Sequence, residues 1–264
     1  MPVDTRGDVL FARYAFPPNA LGYCGPDDPD VLLRHATSAG EPADEIARRA
    51  RLFDGAWVYL ELIAAAAGIP DPMDARVVEA YWIGNDLLDA VDPDVFLATL
   101  RQRFAGQLGG PIARRWRSMP PAHALAHHSF HVFAVYPWTG LLTAASGGRA
   151  GTALSVLDNC RIRWGTVTGP ETGPGTGPVT GPVTGEDGAR VRVRSRPLTW
   201  DGRRLGLGAD RIESVRWSTA GISRPPPATG DLVACHWDWV CDRLTPAQVA
   251  QLDARTEHQL RAAG

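Results

Sequence analysis

Apolar residues recur at helical spacing through most of the first 150 residues of the chain. The clearest stripe has seven members spaced alternately four and three apart: Ile46, Ala50, Phe53, Trp57, Leu60, Ala64 and Ala67. It predicts one amphipathic helix over residues 41–68, which Gly68 and Pro70 end. Asp71-Pro72 and Asp92-Pro93 each place a capping residue before a proline, and they predict helices that run to about residues 90 and 107.

The pattern changes after Gly147-Gly148, where β-branched residues or alternating arginine and valine predict strands. These stretches are residues 154–167, 190–196, 211–217 and 231–240. Between the first two lies a Thr-Gly-Pro repeat, and because it cannot build a core, residues 168–188 are predicted to be a disordered loop. Thr245 and Gln248 form a capping box with Pro246 between them, which predicts a closing helix.

These patterns predict an α+β fold with two domains. An all-α domain would occupy residues 1–150, and a small β-barrel with a C-terminal helix would occupy residues 151–264. The composition, with 44% apolar and 21% charged residues, is normal for a globular protein. A net charge of −2 argues against nucleic acid as a partner. With no secretory pattern and no membrane-spanning stretch, we expect a cytoplasmic protein whose four cysteines are thiols.

A cluster of histidines is the first candidate for chemistry. On a helix, His123, His127 and His131 would lie one turn apart on one face, a spacing that can bind a transition metal or heme iron. No glutamate follows the first histidine, so the zinc-protease pattern is absent. The competing interpretation is that these histidines are hydrogen-bonded residues of a helical core.

Two short motifs form the second candidate. The first contains Cys160, Gly165 and Val167, and the second contains Gly230, Asp231 and His236. A thiolate is a strong ligand for iron, and imidazole is an acceptable second ligand. Alternation along a strand would put Val233, Cys235, Trp237 and Trp239 on one face and His236 on the other. The alternatives are that Cys160 is a small buried hydrophobe and that His236 is a hydrogen-bonded strand residue, while Cys235 and Cys241 are interpreted as structural.

The order and spacing of these motifs, with the closing helix, resemble the hydrogenase assembly chaperone (HypC/HupF) family over about the last 105 residues. The resemblance implies an OB-like barrel with Cys160 on its first strand. It implies that Cys160 and His236 hold iron as an Fe(CN)2CO fragment. It also implies a HypD-like maturation protein and the precursor of a [NiFe] hydrogenase large subunit as partners. Unlike the family's cysteine, which lies at the mature amino terminus, Cys160 is internal.

The function predicted from the sequence is therefore that of an accessory protein in [NiFe] hydrogenase maturation, a metallochaperone rather than an enzyme. The helical domain would dock a partner. The alternative is a metal- or heme-dependent enzyme that uses His127 and His131, with the barrel as a structural appendage.

Overall fold

Helices fill the first part of the chain in the computed structural model, which describes residues 6–38, 40–104, 119–144, 148–171, 189–218 and 225–263. The helices of this helical part are α1 (Gly7–Ala20), α2 (Asp30–Ser38), α3 (Ala43–Ala50), α4 (Asp54–Ala66), α5 (Ala75–Trp82), α6 (Pro93–Arg103) and α7 (Trp138–Ala144). Short 3-10 segments occur at Asp86–Ala90 and Pro121–His123, and a turn of α-helix at His128–Phe130 continues as a π-helix over His131–Val135.

The barrel part follows helix α8 (Gly148–Cys160). Its strands are β1 (Arg163–Pro170), β2 (Ala189–Ser195), β3 (Leu198–Trp200), β4 (Leu205–Leu207), β5 (Arg211–Ser218), β6 (Leu232–His236) and β7 (Trp239–Arg243). Five of them close a barrel in the order β1-β2-β5-β7-β6, and β3 and β4 form a separate hairpin. Helix α9 (Pro246–Ala263) comes last. The predicted mixture of N-terminal helices, a C-terminal barrel and a closing helix is thus confirmed.

Two helix starts follow the predicted signals. Asp92 accepts hydrogen bonds from the backbone amides of Asp94 and Val95, and Pro93 is the first residue of α6. The backbone amide of Thr245 donates to the side-chain oxygen of Gln248, and the backbone amide of Gln248 donates to the Thr245 hydroxyl. Both caps satisfy amide groups that a helix start leaves without partners.

Two other helix predictions are wrong in part. The stripe over residues 41–68 is broken, because α3 ends at Ala50 and a turn leads into α4 at Asp54. The turn keeps Phe53 buried and sets its ring 5.4 Å from that of Phe11. The helix predicted from Asp71 begins instead behind the cap of Asp74 and ends at Trp82, where Gly84 takes a φ of +100°.

The first predicted strand is also partly wrong, because residues 154–160 belong to α8. Ala153, Leu157 and Cys160 are buried and spaced four and three apart, so this apolar run has helical rather than alternating burial. Cys160 therefore ends a helix and does not lie on the first barrel strand. The predicted loop over residues 168–188 lies largely outside the described residues, since β1 extends to Pro170 and the description resumes at Ala189.

The helical and barrel parts share a core. Barrel-part residues Ala234, Trp239 and Cys241 are buried in the same cluster as residues of α1, α4 and α5. The barrel has its own interior, filled mainly by valines of β1, β2, β5, β6 and β7. Helix α8 crosses the predicted boundary at residue 150, and the division into two domains stays a prediction. Within the described ranges, no helix combines the length and apolarity that crossing a bilayer requires.

The two predicted motifs are neighbours in the barrel. The backbone amide of Gly230 donates to the Val167 carbonyl, and the amide of Val167 donates to the Asp231 carbonyl, each at 2.9 Å. Gly230 has a φ of +94°, which glycine adopts without strain. Gly165 lies where β1 crosses close to β2, and a Cβ there would come within 2.4 Å of the Arg194 carbonyl oxygen.

Gly165→Ala should therefore destabilise the barrel, because the new methyl group meets backbone rather than a movable side chain. We expect a loss of about 1–3 kcal/mol in the free energy of unfolding, measured by denaturant titration. The matched control is Gly151→Ala in α8, where an added Cβ meets no atom within 4 Å. That change should be neutral or stabilising by up to about 1 kcal/mol. Equal stability of the two variants would contradict this account of β1.

Candidate metal centre

Three metal-capable side chains from distant parts of the sequence meet in the interior. The Sγ atom of Cys160 and one ring nitrogen each of His128 and His236 all lie within 4.8 Å of one another. All three residues are buried. We call this group the Cys-His-His cluster. Of the predicted ligands, Cys160 and His236 are thus brought together, and His128 joins them without having been predicted.

Backbone pairing between α8 and the β6–β7 hairpin brings Cys160 and His236 together. The amide of Trp237 donates to the carbonyl of Asn159 at 2.8 Å. Because Cys160 follows Asn159 and His236 precedes Trp237, this bond also brings Cys160 close to His236. Arg163 reinforces the contact, because its guanidinium donates both to the Asp158 carbonyl and to the Trp237 carbonyl. Trp237 occupies the left-handed region with a φ of +54°, so the hairpin turns sharply directly after His236.

The face of β6 that carries His236 was predicted by strand alternation, but the prediction fails beyond the strand. Val233 and Cys235 point into the barrel. His236 contacts the helical part, where its Nδ1 lies 2.7 Å from the carbonyl oxygen of Tyr14. Trp237 and Trp239 leave the barrel interior, because the turn after His236 interrupts the alternation.

The Tyr14 carbonyl is free to accept this hydrogen bond because of a local defect in α1. Pro17 and Pro18 lie inside that helix. A helical carbonyl normally accepts from the amide four residues later, and Pro18 has no N–H to offer Tyr14. A carbonyl oxygen can only accept, so Nδ1 of His236 carries the proton and Nε2 presents a lone pair. That Nε2 is buried and makes no hydrogen bond among the described residues, although the Cys160 carbonyl lies near enough to the His236 ring to oppose the fall of its pKa.

His128 is held from two sides. Its Nε2 lies 2.9 Å from the carbonyl oxygen of Cys160, and its Nδ1 lies 3.1 Å from the hydroxyl of Tyr81. Trp82 packs against both imidazoles of the cluster, with ring centroids 4.6 Å from His128 and 5.8 Å from His236. The aromatic packing fixes the ring planes before any ligand arrives.

A cavity of about 620 Å³ adjoins the cluster. It lies between the helical part and the end of α8, and its walls are mainly aromatic and aliphatic. His131 and Tyr136 line it with ring centroids 4.7 Å apart, and the His131 ring fits only because Gly55 has no side chain. Nδ1 of His131 is buried with no partner in the described part of the chain. All three residues of the Cys-His-His cluster therefore face a cavity that is large enough for a small molecule.

The other predicted histidines are not gathered into one site. The predicted helix over His123, His127 and His131 is wrong, because His123 ends a 3-10 turn and His127 is extended. His127 bonds to Ser129 through Nδ1 at 2.7 Å, and His123 is half-buried at the other end of the segment. Only His131 of the three lines the cavity. The sequence offered one signal for His128, which is its position between His127 and His131. The argument from helical spacing did not include this residue.

Burial keeps the groups of the cluster neutral. It raises the pKa of the Cys160 thiol and lowers the pKa of His128 to about 4 and that of His236 well below its ordinary value. Cys24, also on the cavity wall, has its pKa raised to about 12 by burial. A thiol and two neutral imidazoles suit a soft or borderline transition metal, whose charge would drive the thiol to thiolate.

A family model matches residues 3–173 and 179–264, which include both the helical and the barrel parts. The chain belongs to DUF6390, a family of unknown function. The match to DUF6390 covers all three residues of the Cys-His-His cluster. No curated protein and no solved structure matches the chain.

Acid should destabilise this interior. Burial lowers the pKa of His127 and of His131 to about 3, whereas an unfolded histidine titrates near ~6.5. Below pH ~6.5 the unfolded chain takes up protons that the folded chain refuses, so stability falls as pH decreases toward about 4. Each such histidine contributes up to ~1.4 kcal/mol per pH unit. Denaturant titrations between pH 7 and 4.5 with a chelator present measure the slope.

His127→Gln provides the control for this pH effect, because it removes one titrating imidazole that does not belong to the cluster. The variant should lose part of the slope, whatever its stability at pH 7. A slope of zero in the wild-type protein would contradict the burial of these rings.

Proposed function

We propose that the protein binds iron through Cys160 and His236 and serves as an accessory protein in [NiFe] hydrogenase maturation, with the Fe(CN)2CO fragment as its cargo. The observation that carries the proposal is the unpartnered Nε2 of His236, buried within reach of the Cys160 thiol. A metal-binding histidine typically donates its other N–H to a carbonyl or carboxylate, which is the arrangement that His236 makes with Tyr14. A lone pair buried without a partner is costly, and a metal ion would satisfy it.

The barrel supports the same proposal. Its five strands close around a valine-rich interior, and the two motifs that carry the resemblance to the HypC/HupF family are hydrogen-bonded to each other. An OB-like assignment of this barrel is part of the proposal. In this interpretation the internal position of Cys160 is functional, because the end of α8 delivers the thiol to the cluster in place of a free amino terminus.

The cluster is enclosed on its other side by the helical part. Tyr14, Tyr81 and Trp82 surround the two imidazoles. A carrier of this design would shield its cargo from water and would release it through the cavity. The metal- or heme-dependent enzyme alternative has weaker support, because His127 points to Ser129 and His131 to the cavity.

Cys160→Ala should abolish iron binding by the anaerobically purified protein, because it removes the anionic ligand. His236→Ala should weaken binding by at least the ~10–100-fold that changes around a metal site commonly cost. Iron content by elemental analysis and Fe–CN and Fe–CO bands by infrared spectroscopy are the measurements.

Cys235→Ala is the matched control for these two variants. Cys235 is an equally buried cysteine next to His236, but it points into the barrel. The Cys235→Ala variant should therefore retain iron. Equal iron content in wild type and Cys160→Ala would refute the carrier proposal.

The mouth of the cavity is the expected docking surface for a HypD-like maturation protein or a hydrogenase large-subunit precursor. Tyr23 and Leu52 line the cavity and yet are 45% and 60% exposed. Tyr23 also stacks on Trp237, at a centroid distance of 4.2 Å, so this rim touches the residue that follows His236. Helix α9 does not line this cavity. It packs on β4 and on residues 121–135, which we call the histidine segment, and its Gln248 and Arg255 bond to Glu79 and Asp89.

Leu52→Asp should reduce co-purification of the HypD-like partner from hydrogenase-expressing cells by about tenfold, since a charge replaces an apolar contact. Iron content should stay unchanged, because Leu52 is not a ligand. Val95→Asp is the control, as Val95 is 56% exposed on α6 and does not line the cavity. If both variants recover the partner equally well, the docking surface lies elsewhere.

A further inference from the structure

His128 is the one member of the Cys-His-His cluster that the helical part contributes. It lies in the turn before the π-helix, more than 30 residues from Cys160 and more than 100 from His236 along the chain. Its ring centroid is 5.3 Å from that of His236.

The hydrogen bonds of His128 define its resting tautomer. The carbonyl oxygen of Cys160 can only accept, so Nε2 carries the proton in this structure and Nδ1 accepts from the Tyr81 hydroxyl. Nε2 is thus the nitrogen on the Cys160 side of the ring, while Nδ1 faces α5. A hydroxyl both donates and accepts, so Tyr81 can serve either tautomer of His128 without moving.

We propose that Nε2 of His128 is a third protein ligand of the metal, and that Tyr81 accepts a hydrogen bond from Nδ1 of His128 when the metal is bound. The proposal rests on the proposed metal site at Cys160 and His236. On metal binding, Nε2 of His128 would give up its hydrogen bond to the Cys160 carbonyl and its proton would pass to Nδ1. The Tyr81 hydroxyl would then turn its own hydrogen toward the cavity that Tyr81 lines. The thiol of Cys160 loses one proton to solvent, so a divalent ion is held by one thiolate and two neutral imidazoles.

Three protein ligands leave a coordination position open, as in metal sites that receive an exogenous ligand. The cavity of about 620 Å³ adjoins all three ligands, and the open position would face it. The third ligand would also join the two parts of the protein, because the metal would connect the histidine segment to α8 and to β6. Metal binding should therefore raise the melting temperature of both parts together.

Anaerobic titration with Co(II), a spectroscopic probe for such sites, tests the assignment. His128→Phe keeps an aromatic ring against Trp82 but removes both nitrogens. We expect its Co(II) affinity to fall by about 100-fold or more, beyond the range typical of outer-shell changes. X-ray absorption should count one sulfur and two imidazoles in the wild type and one imidazole fewer in the variant. His127→Phe, which changes the adjacent buried histidine outside the cluster, should keep the wild-type affinity and ligand count.

Tyr81→Phe provides a second measurement that does not alter the cluster itself. It removes the acceptor for Nδ1 of His128 and should lower Co(II) affinity by about 10–100-fold, with the ligand count unchanged. This variant decides the question if His128→Phe fails to fold. Wild-type affinity in folded Tyr81→Phe, or two imidazoles in His128→Phe, would overturn the assignment of His128. Failure of the metal site itself is distinguishable, because Cys160→Ala would then also bind Co(II) as the wild type does.

Discussion

The contact between Asn159 and Trp237 holds Cys160 and His236, two members of the Cys-His-His cluster, close together. One backbone hydrogen bond and the guanidinium of Arg163 join the end of α8 to the β6–β7 hairpin. The guanidinium is fully buried and paired with Glu213, and the resulting attraction together with bonds to carbonyl oxygens offsets the cost of burying the charge. The pairing of β1 with β6, in which Arg163 lies opposite Cys235, already brings Cys160 and His236 into the same region, and this contact fixes how closely they approach.

The remaining architecture places the helical part against that junction. Helix α1 supplies the acceptor for His236, α5 supplies Tyr81 and Trp82, and the histidine segment supplies His128. Asp158 continues the polar network on the far side of α8, where it pairs with buried Arg161 and with Arg211. Charged side chains around the cluster thus hold the backbone in place, whereas neutral groups hold the two imidazoles.

The sequence predicted the fold well where the stabilising contacts join residues that are close together in the chain. Asp92 with Pro93, and Thr245 with Gln248, cap helices by contacts within four residues, and the structure confirms both. The break after Ala50 could not be predicted in this way, because Phe53 turns to reach Phe11 on another helix. Strand alternation placed His236 on the outer face of β6 but could not foresee the left-handed turn at Trp237.

The candidate site shows the same division. The motifs that resemble the HypC/HupF family pointed to Cys160 and His236, whereas the periodic argument that grouped His127 with His131 assumed a regular helix. The segment is instead extended at His127 and a π-helix from His131, so His128 and His131 turn toward the cavity. Such irregular backbone depends on tertiary packing, and π-helical turns often occur at functional sites.

The two prolines of α1 have a consequence for how this site could arise. A proline inside a helix costs ~3 kcal/mol, which selection on stability alone would remove. Here the amide missing at Pro18 gives the Tyr14 carbonyl to His236. A residue with a backbone amide hydrogen at position 18 would make a more regular helix. That amide would compete with His236 for the Tyr14 carbonyl oxygen, which keeps the proton of His236 on Nδ1. The orientation of His236 on β6 thus depends on Pro18, more than 200 residues earlier in the chain, because Pro18 lacks the amide hydrogen that would otherwise bond to Tyr14.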